Sequence, residues 1–324
     1  MVFSIQYLRA IAALMVVILH TMAKSENSGI YDNFFHVGSS GVDLFFIISG
    51  YIIVYITESR RPSPKYFIIS RVERVYPTYL IVTLAALCVY VVAPSMINGS
   101  GDTSLIMSFF YIPIEEHLML VQVGWTLIYE MFFYFIFFLS MLINFKNRVA
   151  ICSIFILLIT LTFNKFEIYQ LKYLSNTIII EFIYGMLSFY VIKRINNIRL
   201  SLVMVALGLL SLYIYRDTFS NRFIYYGFPM LLLFMGVVSI EVNNKVKIES
   251  KLLKLLGDAS YSIYLTHLFS IGIAFLIFRK INIEPILFVL ISILLSVIGG
   301  VIYYLVIEKN IMKFFKMINK KYIS

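Results

Sequence analysis

At 324 residues, with 61% hydrophobic side chains and a mean hydropathy of +0.90, the chain lies well outside the roughly 45–50% apolar composition of soluble domains. Composition therefore points to an all-α, polytopic membrane protein and excludes a soluble globular fold. The formal net charge of +10 does not imply a nucleic-acid partner, because the Lys and Arg residues sit in short connections between apolar runs instead of on one face of a fold.

Ten stretches are long enough to cross a hydrocarbon layer of roughly 30 Å. They cover residues 4–23, 38–57, 76–94, 123–143, 149–164, 176–193, 199–215, 222–241, 259–278 and 285–306. The first carries Arg9 within its apolar core and lacks a basic segment ahead of it, so it reads as an uncleaved span and not a signal peptide. Alternate connections, such as those holding Arg60 to Arg74, Lys245 to Lys254 and Lys309 to Lys321, collect 19 basic residues; the others collect 7. That asymmetry predicts a multi-pass protein of the cytoplasmic membrane with both termini in the cytoplasm. Cys88 and Cys152 both fall in apolar spans, which indicates neither a disulfide framework nor a metal cluster.

Within the first span, His20 follows Arg9 by eleven residues. As helix this is about 16 Å of rise and within roughly 20° of whole turns, so the two share a face. Ionisable groups that persist in hydrocarbon usually serve chemistry or transport. The second span opens Gly38-Ser39-Ser40-Gly41-Val42-Asp43, and Asp43 is either an orienting partner for the His20 imidazole or a helix N-terminal acid. In the expected cytoplasmic loop Ser70-Arg71-Val72-Glu73-Arg74-Val75-Tyr76-Pro77, Arg71 and Arg74 are three apart. They suit bidentate phosphate contacts, although positive-inside bias alone also places arginines there.

The connection from Ala93 to Gln122 is long and acidic, with Asp102, Glu115 and Glu116, and is either functional or a solvated linker. The fourth span begins Gly124-Trp125-Thr126-Leu127-Ile128-Tyr129-Glu130. Trp125 fits an interfacial belt. Glu130 lies deep enough to require protonation, a wet cavity or a partner, for which Arg9 and His20 are the candidates. In the ninth span Ser260, Tyr264 and His267, at i, i+4 and i+7, line one helical face beside Tyr261. His267 is either functional or a hydrogen-bonded structural histidine. The segment Ile311-Met312-Lys313-Phe314-Phe315-Lys316 begins a basic, aromatic tail over 311–324, expected to lie on the anionic inner leaflet and distinct from an integral domain over 1–310. Phosphate-loop, nucleophile-elbow and metal-ligand spacings do not occur, so no metal site is expected.

These motifs in this order resemble the acyltransferase-3 family of bacterial membrane O-acyltransferases of the exopolysaccharide and O-antigen type. The resemblance rests on Arg9 with His20, Gly41-Val42-Asp43-Leu44-Phe45-Phe46 to Ser49-Gly50, and Arg71 with Arg74 before Pro77. It also rests on Trp125-Thr126-Leu127 with Glu130, and Ser260-Tyr261-Ser262-Ile263-Tyr264-Leu265 before His267. It implies acyl-CoA, usually acetyl-CoA, as donor substrate with no bound cofactor, and a hydroxyl of a cell-surface glycan or its lipid-linked precursor as acceptor. It also implies that Arg9 and His20 are essential and that Arg71 and Arg74 bind the donor. His20 is then the expected general base, oriented by Asp43 or Glu130, with Tyr261, Tyr264 or Ser260 donating to the oxyanion. Some relatives carry an appended hydrolase-like domain; a chain of 324 residues is expected to act without one or with an unlinked partner. The competing expectation is a transporter of an anion or acylated metabolite lined by Arg9, Glu130 and His267, against which the lack of an internal repeat argues.

Overall fold

The computed structural model describes residues 2–30, 35–98, 102–216, 218, 221–244, 246, 249–281 and 284–323. Its helices are α1 (Phe3–Asn27), α2 (Ser40–Arg60), α3 (Pro64–Val92), α4 (Leu105–Phe110) and α5 (Trp125–Ile143). There follow α6 (Arg148–Thr162), α7 (Tyr169–Leu174), α8 (Ile180–Ile192), α9 (Ile198–Ile214) and α10 (Phe228–Asn244). The last four are α11 (Lys251–Asp258), α12 (Ser260–Ile281), α13 (Pro285–Tyr303) and α14 (Lys309–Ile323). Among the described residues nine helical segments are long and apolar enough to cross a membrane, and Ile198–Ile214 is a shorter apolar helix. Each of the ten expected spans therefore has a helix. Of the basic residues used to orient the chain, Lys245, Lys247 and the side chains of Lys320 and Lys321 lie outside the described residues, as does Ser324.

The third span corrects the sequence expectation. It begins at Pro64, not near residue 76, so Arg71 and Arg74 are helical residues and not loop residues. Ser63 caps it by accepting from the Tyr66 amide at 3.3 Å, and Pro64 occupies the first turn, where its missing N–H costs nothing. Pro77 lies inside the helix. Hydroxyls of Tyr261 and Tyr303 donate to the carbonyls of Val75 and Thr78, both at 2.9 Å, so neighbouring helices supply polar partners on either side of the proline.

Helix α2 runs through the centre, packed on α1, α8 and α10. Its approach to α8 depends on Gly50 and Gly185, because a Cβ on Gly185 would strike the Ile47 carbonyl and one on Gly50 the Phe182 carbonyl. Helix α1 is seated from both sides. Glu241 of α10 accepts from the amides of Phe3 (2.8 Å) and Ser4 (2.6 Å), satisfying two free donors at the helix start. The Tyr7 hydroxyl accepts from the Ser250 amide at 2.8 Å, just ahead of α11. This clamp sets the depth at which Arg9 and His20 sit.

The described part of the acidic connection before α5 is held by specific contacts. Strands β1 (Asp102–Thr103) and β2 (His117–Leu118) pair in parallel, and the Ser108 hydroxyl accepts from the Leu120 amide at 2.9 Å. Tyr111 from this segment packs its ring against Tyr76 and Tyr79 of α3, and burial holds its phenol pKa well above the ordinary value. The segment from residue 311 is a helical continuation: α13 passes through a π-helical turn at Tyr304–Glu308 into α14, which packs on α3.

Candidate active site

A cavity of about 430 Å³ opens among α1, α2, α3, α5, α12 and the Tyr304–Glu308 turn. Arg9, Arg71, Arg74, Glu130, Tyr261 and Tyr264 all line it, so the bundle gathers six of the sequence candidates in one place. A second cavity, about 400 Å³, shares Ile56, Arg60 and Arg71 with the first and extends to Tyr66 and Ser70. The remaining wall is largely aliphatic and aromatic, from Ile5, Val42, Phe45, Ile52 and Val75 among others.

The charges in this cavity are not matched in ion pairs. Glu130 accepts from the Ser49 hydroxyl at 2.8 Å and from the Tyr134 hydroxyl. Glu308 accepts from the Ser262 hydroxyl at 2.5 Å. Among the described residues no carboxylate forms a salt bridge with Arg9, Arg71 or Arg74. Arg9 is 9% exposed, and Nε of Arg71 is buried without a hydrogen-bond partner. Glu130, Glu308 and Asp258 line the same cavity without direct contact; guanidiniums without a hydrogen-bonded anion in a low-dielectric site are costly, and an anionic ligand that binds them directly lowers that cost.

The histidines lie beyond this cavity. Nδ1 of His20 is 2.9 Å from the Val16 carbonyl oxygen and 3.2 Å from Nε2 of His267. Nδ1 of His267 is 2.7 Å from the Tyr264 carbonyl oxygen. Their rings are 4.9 Å apart, with His267 fully buried and His20 half-buried. Tyr264 lines the cavity and its ring centroid lies 6.0 Å from that of His267; its hydroxyl donates to the Val123 carbonyl at 3.0 Å and meets the Thr126 hydroxyl at 2.9 Å.

Several expected roles change with this geometry. Asp43 does not touch His20; it accepts a fork from Arg222, Nε to Oδ1 at 3.0 Å and Nη2 to Oδ2 at 2.5 Å, and Arg222 also donates to the Ser39 carbonyl at 2.6 Å. Glu130 pairs with neither Arg9 nor His20. Trp125 stands edge-on to Tyr129 at 5.9 Å and does not line the cavity. Ser260 is fully buried away from the cavity, and the hydroxyls of Tyr261 and Tyr264 spend their single protons on backbone carbonyls. These three are poor oxyanion donors as placed.

Sequence inspection missed the His20–His267 contact, the Arg222–Asp43 fork, the Ser49–Glu130–Tyr134 group and Glu308. Spacing within one helix carries no signal of which helix lies opposite. The only available hint was that each is a polar residue within or beside an apolar span.

Residues 2–305 match the family model described as an acyltransferase domain. The chain is also similar to the exopolysaccharide production protein ExoZ of Rhizobium meliloti (strain 1021), with 29% identity over 299 residues, covering 86% of this chain and 91% of that protein. No solved structure matches.

Proposed function

The chain belongs to the acyltransferase-3 family, and on that premise we propose that it transfers an acetyl group from acetyl-CoA to a hydroxyl of a cell-surface glycan or its lipid-linked precursor. It does so in the bacterial cytoplasmic membrane. The observation that carries the donor assignment is the convergence of Arg9, Arg71 and Arg74 on one cavity without a carboxylate partner among the described residues. Phosphates of an acyl-CoA supply the missing anion, and a guanidinium fork suits them bidentately. The similarity to an exopolysaccharide production protein supports a glycan acceptor.

In this mechanism the donor enters from the side of the basic connections, its phosphates held by Arg71, Arg74 and Arg9. Its extended arm follows the apolar wall towards Tyr264, past whose ring the thioester must reach to meet His20. His20 takes the proton of the acceptor hydroxyl as that oxygen attacks the thioester carbonyl. A carbon–oxygen bond forms, the carbon–sulfur bond breaks, and the proton returns to the departing thiolate. Accumulation of an acyl-histidine in a single turnover without acceptor replaces this with a covalent relay.

The test compares wild type with His20→Ala, measuring O-acetyl groups on purified surface polysaccharide and membrane abundance by immunoblot. Loss of acetylation at equal abundance is expected. Persistent acetylation removes His20 from the chemistry. Transfer takes place towards the outer face, because His20 lies near the end of α1 opposite the cytoplasmic N-terminus; acetylation of an acceptor offered only to the cytoplasmic face of inverted vesicles overturns that placement.

A further inference from the structure

We propose that His267 is a positioning residue that, together with the Val16 carbonyl, fixes the tautomer and ring orientation of His20, holding hydrogen on Nδ1 and leaving Nε2 as the basic lone pair; this rests on the reading of His20 as general base. Carbonyl oxygens only accept hydrogen bonds. Nδ1 of His267, 2.7 Å from the Tyr264 carbonyl oxygen, therefore carries the hydrogen. In a neutral imidazole the other nitrogen is then an acceptor. That acceptor, Nε2, faces Nδ1 of His20 at 3.2 Å, and the second neighbour of the same nitrogen is the Val16 carbonyl at 2.9 Å. Both neighbours of His20 Nδ1 are acceptors. Any arrangement without a hydrogen there sets lone pairs against each other, so the hydrogen resides on Nδ1 and is shared between them.

The orienting chain is rigid. Tyr264 is anchored through its hydroxyl to Val123 and packs edge-on against Phe45 at 5.8 Å. Helix α13 closes on α12 at Gly300, where a Cβ would lie 2.5 Å from the Ile263 Cα. His267 is 0% exposed, so no water competes for its Nε2. Among the described residues no protein hydrogen bond engages Nε2 of His20.

In hydrolase triads a carboxylate performs this orienting task. Here the two candidate acids are engaged elsewhere, Asp43 by Arg222 and Glu130 by Ser49 and Tyr134. A second histidine supplies the same geometry without a second charge in hydrocarbon. When His20 accepts the hydroxyl proton at Nε2, its Nδ1–H bond to the neutral His267 spreads the resulting positive charge. That same Nε2 proton then goes to the thiolate.

The chain contains only four histidines, His20, His36, His117 and His267, so ¹⁵N-histidine labelling of the reconstituted full-length protein gives a readable nitrogen spectrum. Single substitutions assign each ring. The expected result is hydrogen on Nδ1 and a bare Nε2 for both His20 and His267 in the unsubstituted protein. A His20 ring carrying its hydrogen on Nε2 overturns the proposal whatever the activity. In membrane vesicles given radiolabelled acetyl-CoA, His267→Gln keeps an acceptor near the Nε2 position and retains turnover within about 10-fold, whereas His267→Asn, too short to reach, loses at least about 100-fold. Both variants leave the apparent KM for acetyl-CoA unchanged. Equal loss in the two, with the His20 tautomer unaltered, also overturns it. The expected tautomers together with full activity of His20→Ala would instead overturn the general-base assignment and leave the tautomer assignment standing.

Discussion

Arg222 and the trio Arg9, Arg71 and Arg74 are guanidiniums inside one helical bundle, and they are treated in opposite ways. Arg222 is held by both oxygens of the fully buried Asp43 and by a backbone carbonyl. The trio shares a cavity with Glu130 and Glu308, whose oxygens take hydroxyl hydrogens instead. On the proposed function, the contrast separates a structural cation from a ligand-binding one. A membrane helix tolerates a charge that is fully paired, and it retains an unpaired one where a ligand completes the pair.

Substitutions at the two regions should therefore diverge between stability and activity. The largest stability effect is expected for Asp43→Ala, which strands Arg222: about 3–5 kcal/mol is lost, seen as a lower thermal midpoint in detergent. The double change Asp43→Leu with Arg222→Leu should recover most of it, since removing both charges also removes the desolvation cost. Failure of the double variant to recover would make the pair more than structural. Next, Arg71→Ala with Arg74→Ala should raise the apparent KM for acetyl-CoA at least about 10-fold, from the loss of charge-assisted hydrogen bonds, while the thermal midpoint stays unchanged. A fall in the midpoint comparable to that of Asp43→Ala would erase the distinction. Tyr134→Phe removes one hydroxyl from Glu130 and should cost about 1 kcal/mol of stability, because Ser49 still donates. The smallest effect belongs to the Arg148–Glu58 pair, at 2.8 Å with Glu58 38% exposed. Glu58→Gln should change stability by no more than about 1 kcal/mol.

Much of the fold was legible because hydrocarbon imposes a length and a composition that can be read locally. The ten apolar stretches became helices, and α3 begins well before its apolar stretch, because Ser63 and Pro64 start the helix while the charged residues up to Arg74 fall outside an apolar count. The candidate site was partly legible. Arg9, Arg71, Arg74, Glu130, Tyr261 and Tyr264 do converge. Their partners were not foreseeable: Asp43 and His20 emerge on adjacent spans, yet Arg222 reaches the first and His267 the second.

By itself the sequence determined that this protein is a helical bundle for a membrane and which helices carry ionisable groups, because the cost of exposing polar atoms to hydrocarbon acts residue by residue. Tertiary structure alone decided which of those groups meet. Close helix approach at Gly50 and Gly185, and the seating of α1 by Glu241 and Tyr7, fix the rotation and depth of each helix. A shift of one residue along a helix turns its side chains by about 100°, enough to separate contacts such as Arg222–Asp43 and His20–His267.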